Sequence, residues 1–501
     1  MGHIGLGVAA GLGHEVDSRA PLVPPPWNRF RASVHTMTEQ TLDRPGARTA
    51  LQRRVLAATG VSYVIVLLDT SIVNVALNDI SGSLGIRIDG LQWVVDAYTL
   101  AFAGLLLTGG TLGDRWGARR TYLAGLLVFT AASATCGLAS GLPVLIAGRI
   151  VQGLGAALLV PAALTLINHA HPVAVQRARA VGIWMSLGGA AMAAGPLVGG
   201  GLVAVFGWRS IFFVNVPIGF VGLLLARRVT DPPMPPVRRQ VDLIGLTSGI
   251  LALAAPMGVL IEGRRLGWTS PPILAGIALG VAAIVVFLVA ESRSTRPMLP
   301  LSLFRHRLFA ASTYASVTSA FVFYGLLFVT SLYFQQVRGS SPLEAGAALL
   351  PMTVMVALGG YYSDRIARLL GARWSMCAAF CAYAIGAGGL LAFGPRSPYE
   401  MALAPMVIIG LAGGFISPAA TAPALGTVTK DRSGIAAAAL NSARQSGSTA
   451  GVAVFGTLAA TLHPFVNGLR AALLVTGAAS VIAALVWLLT VPGRADPDLC
   501  R

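Results

Sequence analysis

The sequence predicts an all-α polytopic membrane protein with fourteen transmembrane helices. Hydrophobic residues make up 55 % of the chain and charged residues only 11 %, so the apolar surface exceeds what a water-soluble core can bury. The apolar residues fall in blocks of about 20 or more, enough to cross a hydrocarbon layer of about 30 Å as a helix. Strands of a membrane barrel would be shorter and alternate with period two. The expected spans are 54–79, 91–113, 120–140, 143–169, 178–205, 209–228, 242–262, 272–291, 308–337, 344–367, 371–395, 399–427, 434–462 and 468–490.

The basic residues are concentrated in alternate connections between these blocks. Of 36 Lys and Arg residues, 27 fall in connections on one side of the membrane, 7 on the other side, and two, Arg149 and Arg444, inside predicted helices. Cytoplasmic connections carry the excess of basic residues in membrane proteins, so both termini of this multi-pass chain are predicted to be cytoplasmic. The net charge of +17 is thus spread over connections, which argues against a nucleic-acid-binding domain.

Short sequences that recur at similar offsets indicate two related halves. The segment Gly153–Pro161 resembles Gly410–Pro418. The triplet Gly-Asp-Arg115 resembles the triplet Ser-Asp-Arg365, and the sequence around Gly182 resembles that around Gly434. The alternative is a chance likeness between helices rich in Gly and Ala. The echoes predict a tail at 1–53, a six-helix bundle at 54–230, a linker with two inserted helices at 231–297, a second six-helix bundle at 298–491 and a tail at 492–501. Two such bundles around a central cavity are a transporter architecture.

Six motifs follow one another along the predicted helices. They are Leu68-Asp69-Thr-Ser-Ile-Val-Asn74, Gly110-Thr-Leu-Gly113-Asp114-Arg115-Trp-Gly117-Ala-Arg119-Arg120, Leu145-x-x-x-Arg149-x-x-Gln152-Gly153, Gly182 followed by Gly195-Pro196-x-x-Gly199-Gly200, Trp208-Arg209 with Asn215, and Asn441-x-x-Arg444-Gln445. In this order they resemble the major facilitator superfamily, and within it the 14-helix drug:proton antiporters. Ala118, Ala191 and Asn78 depart from the pattern of that family.

The resemblance implies a major facilitator fold and a function in export. It implies a monomeric antiporter of the cell membrane that moves small apolar or cationic organic compounds outward in exchange for protons by alternating access. Its partners would be a small-molecule substrate, protons and lipid, without a cofactor, a metal or an enzymatic reaction. A dedicated exporter of one metabolite or self-made antibiotic is the alternative. A membrane enzyme or sensor is disfavoured, because the sequence has no activated nucleophile, phosphate-binding loop or appended soluble domain.

Three ionisable residues are expected at similar depth inside the first half. At 1.5 Å per residue, Asp69 and Arg149 lie about 9 Å and Asp96 about 7 Å below the outer face. Ionisable side chains are costly inside a membrane and indicate function, and a nearby cation or a change in burial alters the affinity of a carboxylate for its proton. We interpret Asp69 as proton carrier, Arg149 as its modulating cation, and Asp96 as a second acidic site or a substrate contact. The alternative is a static ion pair that holds helices together.

Two groups of motif residues are predicted to control the conformational change. The loop after the second span is interpreted as a cytoplasmic gate, with glycines for a tight turn and charges that bind across the bundle, or as a simple turn with basic anchors. The expected gate residues are Gly110, Gly113, Asp114, Arg115, Gly117, Arg119 and Arg120, with Asp364 and Arg365 as the counterpart. Small residues in the fifth span permit close approach and bending, as an antiporter hinge or as packing alone; they are Gly182, Gly195, Pro196, Gly199 and Gly200.

A further set of polar, aromatic and methionine side chains is expected to line the substrate cavity. Aromatic rings and methionine offer an adaptable apolar surface. Arg444, about 15 Å deep, is expected either to offset negative charge in the cavity or to bind helix carbonyls. The predicted lining residues are Asn74, Tyr98, Gln152, Met185, Asn215, Tyr324, Phe328, Gln335, Asn441, Arg444 and Gln445.

Overall fold

The computed structural model describes residues 45–227, 229, 242–294, 297, 299–428 and 433–491. The chain divides into two compact units, Met1–Leu51 and Gln52–Arg501, and the first of these is described only from Pro45, where the first helix begins. Throughout the described ranges the regular secondary structure is helical. Most of the predicted tail at 1–53, the Pro-rich segment 231–240 and the tail at 492–501 lie outside the described residues.

Fourteen α-helices follow one another in the described ranges. They are α1 (Pro45–Leu84), α2 (Ile88–Trp116), α3 (Ala118–Gly137), α4 (Leu142–Ala170), α5 (Ala174–Phe206), α6 (Ser210–Phe213), α7 (Asn215–Ala226), α8 (Leu243–Leu266), α9 (Pro271–Arg293), α10 (Arg307–Leu332), α11 (Pro342–Leu391), α12 (Glu400–Gly426), α13 (Ser433–Thr461) and α14 (Phe465–Thr490). A 3₁₀ turn, Leu301–Arg305, precedes α10, and a π-helical turn, Tyr333–Val337, follows it.

Nine helices in the described part of the chain are long and apolar enough to cross a membrane: α1, α4, α5, α8, α9, α10 with its π turn, α11, α12 and α14. The expected sixth span consists of the two short helices α6 and α7. The expected spans 344–367 and 371–395 correspond to the two parts of α11, which are two helices that meet at a kink where the backbone of Gly371 is not helical (φ 77°, ψ 153°). A positive φ is readily adopted by glycine, so the chain turns there from one helix into the next. The protein is thus an all-helical membrane protein.

Sequence signals account for several of the helix starts. At the start of α11, the Ser341 hydroxyl accepts a hydrogen bond from the Glu344 amide, and the Glu344 carboxylate accepts one from the Ser341 amide. This reciprocal capping satisfies amides that have no partner within the helix. At the start of α8, the Asp242 carboxylate accepts a hydrogen bond from the Gly245 amide. The two caps fix where α8 and α11 begin.

We call α1–α7 the first half of the chain and α10–α14 the second half. Close helix contacts in both halves depend on glycines of the predicted internal repeat. A Cβ atom on Gly153 of α4 would lie 2.5 Å from the carbonyl oxygen of Tyr98 in α2. A Cβ atom on Gly410 of α12 would lie 2.8 Å from the Cβ of Met355 in α11. Neither position has room for a side chain, as is common where helices pack closely in a membrane. Gly153 and Gly410 are equivalent in the repeat, so the same residue type makes the same kind of contact twice.

The two halves of the bundle contact each other along α2 and α13. We call the end of the bundle where α1 ends and α2 begins the Gln92 end, and the end where α2 finishes the Arg115 end. Gln92 donates hydrogen bonds to the carbonyls of Val452 (3.2 Å) and Ala453 (2.7 Å). Farther along α2, the Thr449 hydroxyl donates to that of Thr99 (2.9 Å), and the Ser442 hydroxyl donates to the carbonyl of Ala103 (2.9 Å). We call this contact the α2–α13 seam.

A second contact between the halves joins α5 to α11, and it too is tight at the Gln92 end. A Cβ atom on Gly200 would lie 2.5 Å from the carbonyl oxygen of Pro342 and 2.8 Å from the Cα of Leu343. Toward the Arg115 end of α5, Gly182 and Gly189 have open space where a side chain would extend. The contact between α5 and α11 is therefore close at the Gln92 end.

The inserted helix α8 lies against both sides of the seam. The indole nitrogen of Trp93 in α2 donates a hydrogen bond to Glu262 (3.0 Å). The hydroxyl of Thr457 in α13 donates to the carbonyl of Leu260 (3.0 Å). One inserted helix thus bonds to both halves at the Gln92 end.

Candidate functional site

The polar centre of the first half is built around Asp69. Its Oδ2 atom accepts a hydrogen bond from Arg149 (2.5 Å), and its Oδ1 atom accepts hydrogen bonds from Gln152 (2.8 Å) and Asn215 (3.1 Å). Ser133 accepts hydrogen bonds from Gln152 and Asn215. All five side chains are buried, and Asp69 has no exposed surface. We call these residues the Asp69 cluster; it unites four helices, α1, α3, α4 and α7.

The local sequence of α4 orients the cation of this cluster. Arg149 and Gln152 are three residues apart and lie on one face of the helix, which brings both to the same carboxylate. The Arg149 guanidinium lies 4.4 Å from the ring centre of Tyr98 and 5.9 Å from that of Phe212, and its Nε donates to the carbonyl of Val94 (2.9 Å). Hydrogen bonds with charged partners are stronger than neutral ones, so the cluster holds both ions in one geometry.

Asp96 lies apart from the Asp69 cluster. It is completely buried, and in the described part of the chain neither carboxylate oxygen has a hydrogen-bond partner. With 3.6 residues per turn, Asp96 falls on the same face of α2 as Gln92, Thr99 and Ala103, the residues that form the seam. The structure therefore places the second predicted acidic residue at the contact between the halves and not beside Arg149.

A second polar cluster surrounds Arg444 in the other half. The guanidinium donates to the hydroxyl of Ser417 (3.0 Å) and to the side-chain oxygen of Asn441 (2.7 Å). Tyr63 of α1 and Tyr324 of α10 lie within electrostatic range of this guanidinium. All five side chains are half-buried.

Aromatic and sulfur groups of α5 complete this second site. Trp184 stacks on Tyr63 with 3.7 Å between ring centres. The hydroxyl of Tyr324 points to the sulfur of Met192 at 3.5 Å. The Arg444 site, defined as Tyr63, Trp184, Met192, Tyr324, Ser417, Asn441 and Arg444, therefore takes residues from both halves.

The predicted cavity residues divide among these regions. Tyr98, Gln152 and Asn215 belong to the Asp69 cluster or pack on it, and Tyr324, Asn441 and Arg444 belong to the Arg444 site. Asn74, Phe328, Gln335 and Gln445 are buried between helices; the Asn74 carbonyl accepts a hydrogen bond from Ser331 (2.7 Å) across the two halves. Met185 is 49 % exposed, on the open part of α5.

The predicted gate residues lie around the turn after α2 and on α11. Gly110 and Gly113 lie in the last turns of α2, and Gly117, with φ 94°, makes the turn between α2 and α3. The side chain of Asp114 lies outside the described residues. Arg119 donates to the carbonyls of Ala226 and Arg227 in its own half. Arg115, Arg120 and Arg365 are exposed. Asp364 pairs with Arg368 one turn away (3.4 Å), a partner that the sequence pattern did not identify.

The glycines predicted as a hinge pack closely, with one exception. A Cβ on Gly195 would lie 2.9 Å from the Cβ of Ser71, and one on Gly199 would lie 2.6 Å from Ile72. Pro196 lies within α5 beside Gly346 of α11, next to the close contact of Gly200. Gly182 lies near the opposite, open end of α5 and takes no part in this packing.

Sequence reasoning missed Ser133, Gln92, Tyr63, Trp184 and Ser417. Ser133 and Gln92 are polar residues in apolar blocks, a signal that could have identified them. Tyr63, Trp184 and Ser417 belong to none of the six motifs, and only the packing of the two halves brings them to Arg444.

Two helical halves in contact at one end, with buried charges inside, are typical of a membrane transporter. The family model described as Major Facilitator Superfamily matches residues 59–452. The chain belongs to the major facilitator superfamily, as its motifs indicate.

The relatives with similar sequences are drug-efflux and antibiotic-resistance proteins. The methylenomycin A resistance protein of Bacillus subtilis (strain 168) is 38 % identical over 444 residues, which cover 86 % of this chain and 95 % of that protein. The multidrug resistance protein Stp of Mycobacterium tuberculosis (strain CDC 1551 / Oshkosh) is 36 % identical, with 82 % and 78 % covered. The predicted resemblance to multidrug efflux transporters is thereby confirmed.

Solved structures of other transporters share the fold. An auto-inhibited peptide transporter of the POT family has a TM-score of 0.66 at 15 % identity, over 89 % of this chain and 99 % of that one. A bacterial homolog of the human lysosomal transporter Spinster, in an inward-facing and unoccupied conformation, has a TM-score of 0.61 at 16 % identity, over 89 % and 97 %.

Proposed function

We propose that the protein exports small organic compounds of the antibiotic and drug class across the cell membrane in exchange for protons. The relatives' names support the cargo class, since they include resistance to methylenomycin A and export of tetracenomycin C. The Asp69 cluster is the single observation that carries the proton coupling, because a carboxylate enclosed with a cation inside a membrane helix is a candidate proton site.

The proposed topology has fourteen spans, with α6 and α7 as one span and α11 as two. Both termini are cytoplasmic, and the transporter works as a monomer of two six-helix bundles, 54–230 and 298–491, joined through the inserted helices of 231–297. The Gln92 end then faces the outside and the Arg115 end the cytoplasm. In this orientation the described conformation is open to the cytoplasm.

Asp69 is the proposed proton carrier. In the inward-open conformation three donors surround its carboxylate. Rocking of the halves toward the outward-open form is proposed to weaken the contact with Arg149, so that Asp69 takes a proton from outside. Return to the inward-open form restores the three donors, and the proton leaves to the cytoplasm. Moving one charge across 100 mV supplies about 2.3 kcal/mol for export.

Asp96 has a different proposed part in the same cycle. A buried carboxylate charge with no partner costs several kcal/mol, so Asp96 carries a proton while the α2–α13 seam is closed. When the seam opens to the outside, water reaches the carboxyl group and it ionises, which opposes closure. Asp96 then exchanges its proton with the outside only, and acts as a latch on the seam.

The motif glycines and charges are proposed to support the movement. Pro196 and Gly200 give α5 the close contacts with α11 that hold the outer side shut, while Gly195 and Gly199 pack α5 against α1. In the outward-open form, Asp114, Arg115, Arg119 and Arg120 would bind across the cytoplasmic ends of the halves. Asp364 and Arg365 would make the equivalent contact in the second half.

Proton exchange in everted membrane vesicles tests the proposal. Addition of a transported compound to energised vesicles should dissipate an acid-inside pH gradient, and Asp69→Asn should abolish this response. Asp79→Asn, the same substitution near the end of α1, serves as the control and should leave it intact. Unchanged coupling in Asp69→Asn would exclude Asp69 as the carrier.

A dedicated exporter of one antibiotic is the second candidate. The relative that carries the name of a single antibiotic, methylenomycin A, aligns over 95 % of its length, which favours this narrower function. A growth-inhibition panel of unrelated antibiotics and dyes separates the two functions. Protection against one compound class would indicate the dedicated exporter, and protection against several would indicate multidrug efflux.

A further inference from the structure

Arg444 differs from Arg149 in the charge of its partners. Arg149 bonds to the carboxylate of Asp69, whereas Arg444 bonds to the neutral side chains of Ser417 and Asn441. In the described residues no carboxylate lies within ion-pair distance of Arg444. A cation inside a membrane bundle is costly unless negative charge comes to it, so its positive charge is available to a ligand.

The surroundings of Arg444 match an aromatic or apolar molecule. Tyr63 and Tyr324 come from opposite halves, and Trp184 stacks on Tyr63. Trp184 also donates a hydrogen bond to the carbonyl of Thr59 (3.0 Å), which fixes its ring. Rigid aromatic surfaces with a few placed polar groups are typical of small-molecule sites.

The two buried carboxylates of the first half leave the centre of the bundle positive. Asp69 is neutralised by Arg149 within the first half. Asp96 lies at the seam without a cation beside it, and an isolated buried carboxylate is costly in its charged form. A cationic compound would therefore meet the charge of Arg444 with no acidic group to compensate, while an anion would meet complementary charge.

We propose that the Arg444 site binds the acidic group of an aromatic or apolar organic anion, such as a carboxylate or an enolate, while Tyr63, Trp184 and Tyr324 contact its apolar part. This inference rests on the proposed export function and names its substrate class. It replaces the cationic cargo expected from the motifs with an anionic one. The guanidinium is planar and has several donors, and it suits an oxyanion better than a point charge does.

Equilibrium binding of two xanthene dyes tests the charge preference. Fluorescein is anionic and rhodamine 6G is cationic, and both have the same tricyclic core. The full-length protein in lipid nanodiscs should bind fluorescein at least about tenfold more tightly than rhodamine 6G, as measured by fluorescence anisotropy. Arg444→Gln should weaken fluorescein binding by about tenfold or more and leave rhodamine 6G binding unchanged or stronger. Arg444→Lys, which keeps the charge but lacks the planar set of donors, should bind fluorescein with an affinity between those of Arg444→Gln and the unaltered protein.

Two results would overturn the inference. One is tighter binding of rhodamine 6G than of fluorescein by the unaltered protein. The other is an equal loss of both dyes in Arg444→Gln, which would indicate a structural role. Binding is measured without a gradient, so it does not depend on proton coupling. Coupled export that persists without an anion preference would refute this inference alone, and an anion preference without coupled export would refute the proposed function alone.

Discussion

The Nη1 atom of Arg149 lies 2.5 Å from the Oδ2 atom of Asp69, and at most 1 % of the surface of either side chain is exposed. Gln152 and Asn215 donate hydrogen bonds to the other carboxylate oxygen. Proton binding at Asp69 therefore requires a rearrangement of the cluster, and the rocking of the halves is the movement that we propose for it.

Loss of the cation alone should destabilise the protein strongly. Arg149→Met leaves the Asp69 charge buried without a counter-ion, and we expect the free energy of unfolding to fall by about 3–5 kcal/mol. The double variant Asp69→Asn with Arg149→Met has no buried charge and should recover most of this loss. Denaturant unfolding of the purified protein in micelles, followed by tryptophan fluorescence, measures both. The exposed Arg177→Met is the control, and equal losses in the single and double variants would argue against a charge-paired cluster.

Gly200 offers a way to hold the Gln92 end open. In Gly200→Val the added side chain meets the backbone of Pro342 and Leu343, which cannot yield as a flexible side chain would. We expect the α5–α11 contact to separate and the outward-open form to dominate. Spin labels at Ser83 and Gln336, both exposed and on opposite halves, report the opening as a longer distance in pulsed electron resonance.

The neighbouring glycine supplies the matched control for this substitution. A Cβ on Gly201 has no neighbour within 4 Å, so Gly201→Val should leave the distance between the labels unchanged. If Gly200→Val gave the same short distance as the unaltered protein, the contact with Pro342 could not be what closes this end.

Asp96 should make the closure of the Gln92 end depend on pH. In an Asp69→Asn background, acid keeps Asp96 neutral and the seam closed, while alkaline conditions favour its ionisation and an open seam. The distance between labels at Ser83 and Gln336 should therefore lengthen as the pH rises. Asp96→Asn is neutral at every pH and should keep the short distance throughout.

The neighbouring acidic residue of α2 controls for a general effect of charge removal. Asp89 lies at the start of the helix and is partly exposed. The substitution Asp89→Asn should leave the pH dependence in place. A pH response that survives Asp96→Asn and disappears in Asp89→Asn would indicate that Asp89, at the surface, controls the closure and that Asp96 does not.

The sequence was sufficient to predict the features that depend on local pattern. Apolar blocks long enough to span a bilayer predicted the helices, and the motifs predicted the superfamily together with Asp69 and Arg149. The expected boundary between the spans 344–367 and 371–395 coincides with the kink of α11 at Gly371, where the backbone leaves the helical region.

Contacts between distant segments could not be predicted from the sequence. Asp96 and Asp69 were expected at similar depth, which is a property of position along a helix. Depth leaves open which way each side chain points, and the seam-forming bonds of Gln92 and Thr99 show that this face of α2 meets α13. Tyr63 and Trp184 were missed for the same reason, since they approach Arg444 only when both halves are assembled.

Infrared difference spectroscopy of the Asp69 carboxyl group tests the central claim most directly. The spectrum of Asp69→Asn is subtracted from that of the protein with Asp69, once in the inward-open form and once in the Gly200→Val background. We expect an ionised carboxylate in the inward-open form and a protonated carboxyl group in the outward-open form at the same pH. A carboxylate that is ionised in both forms would contradict the account.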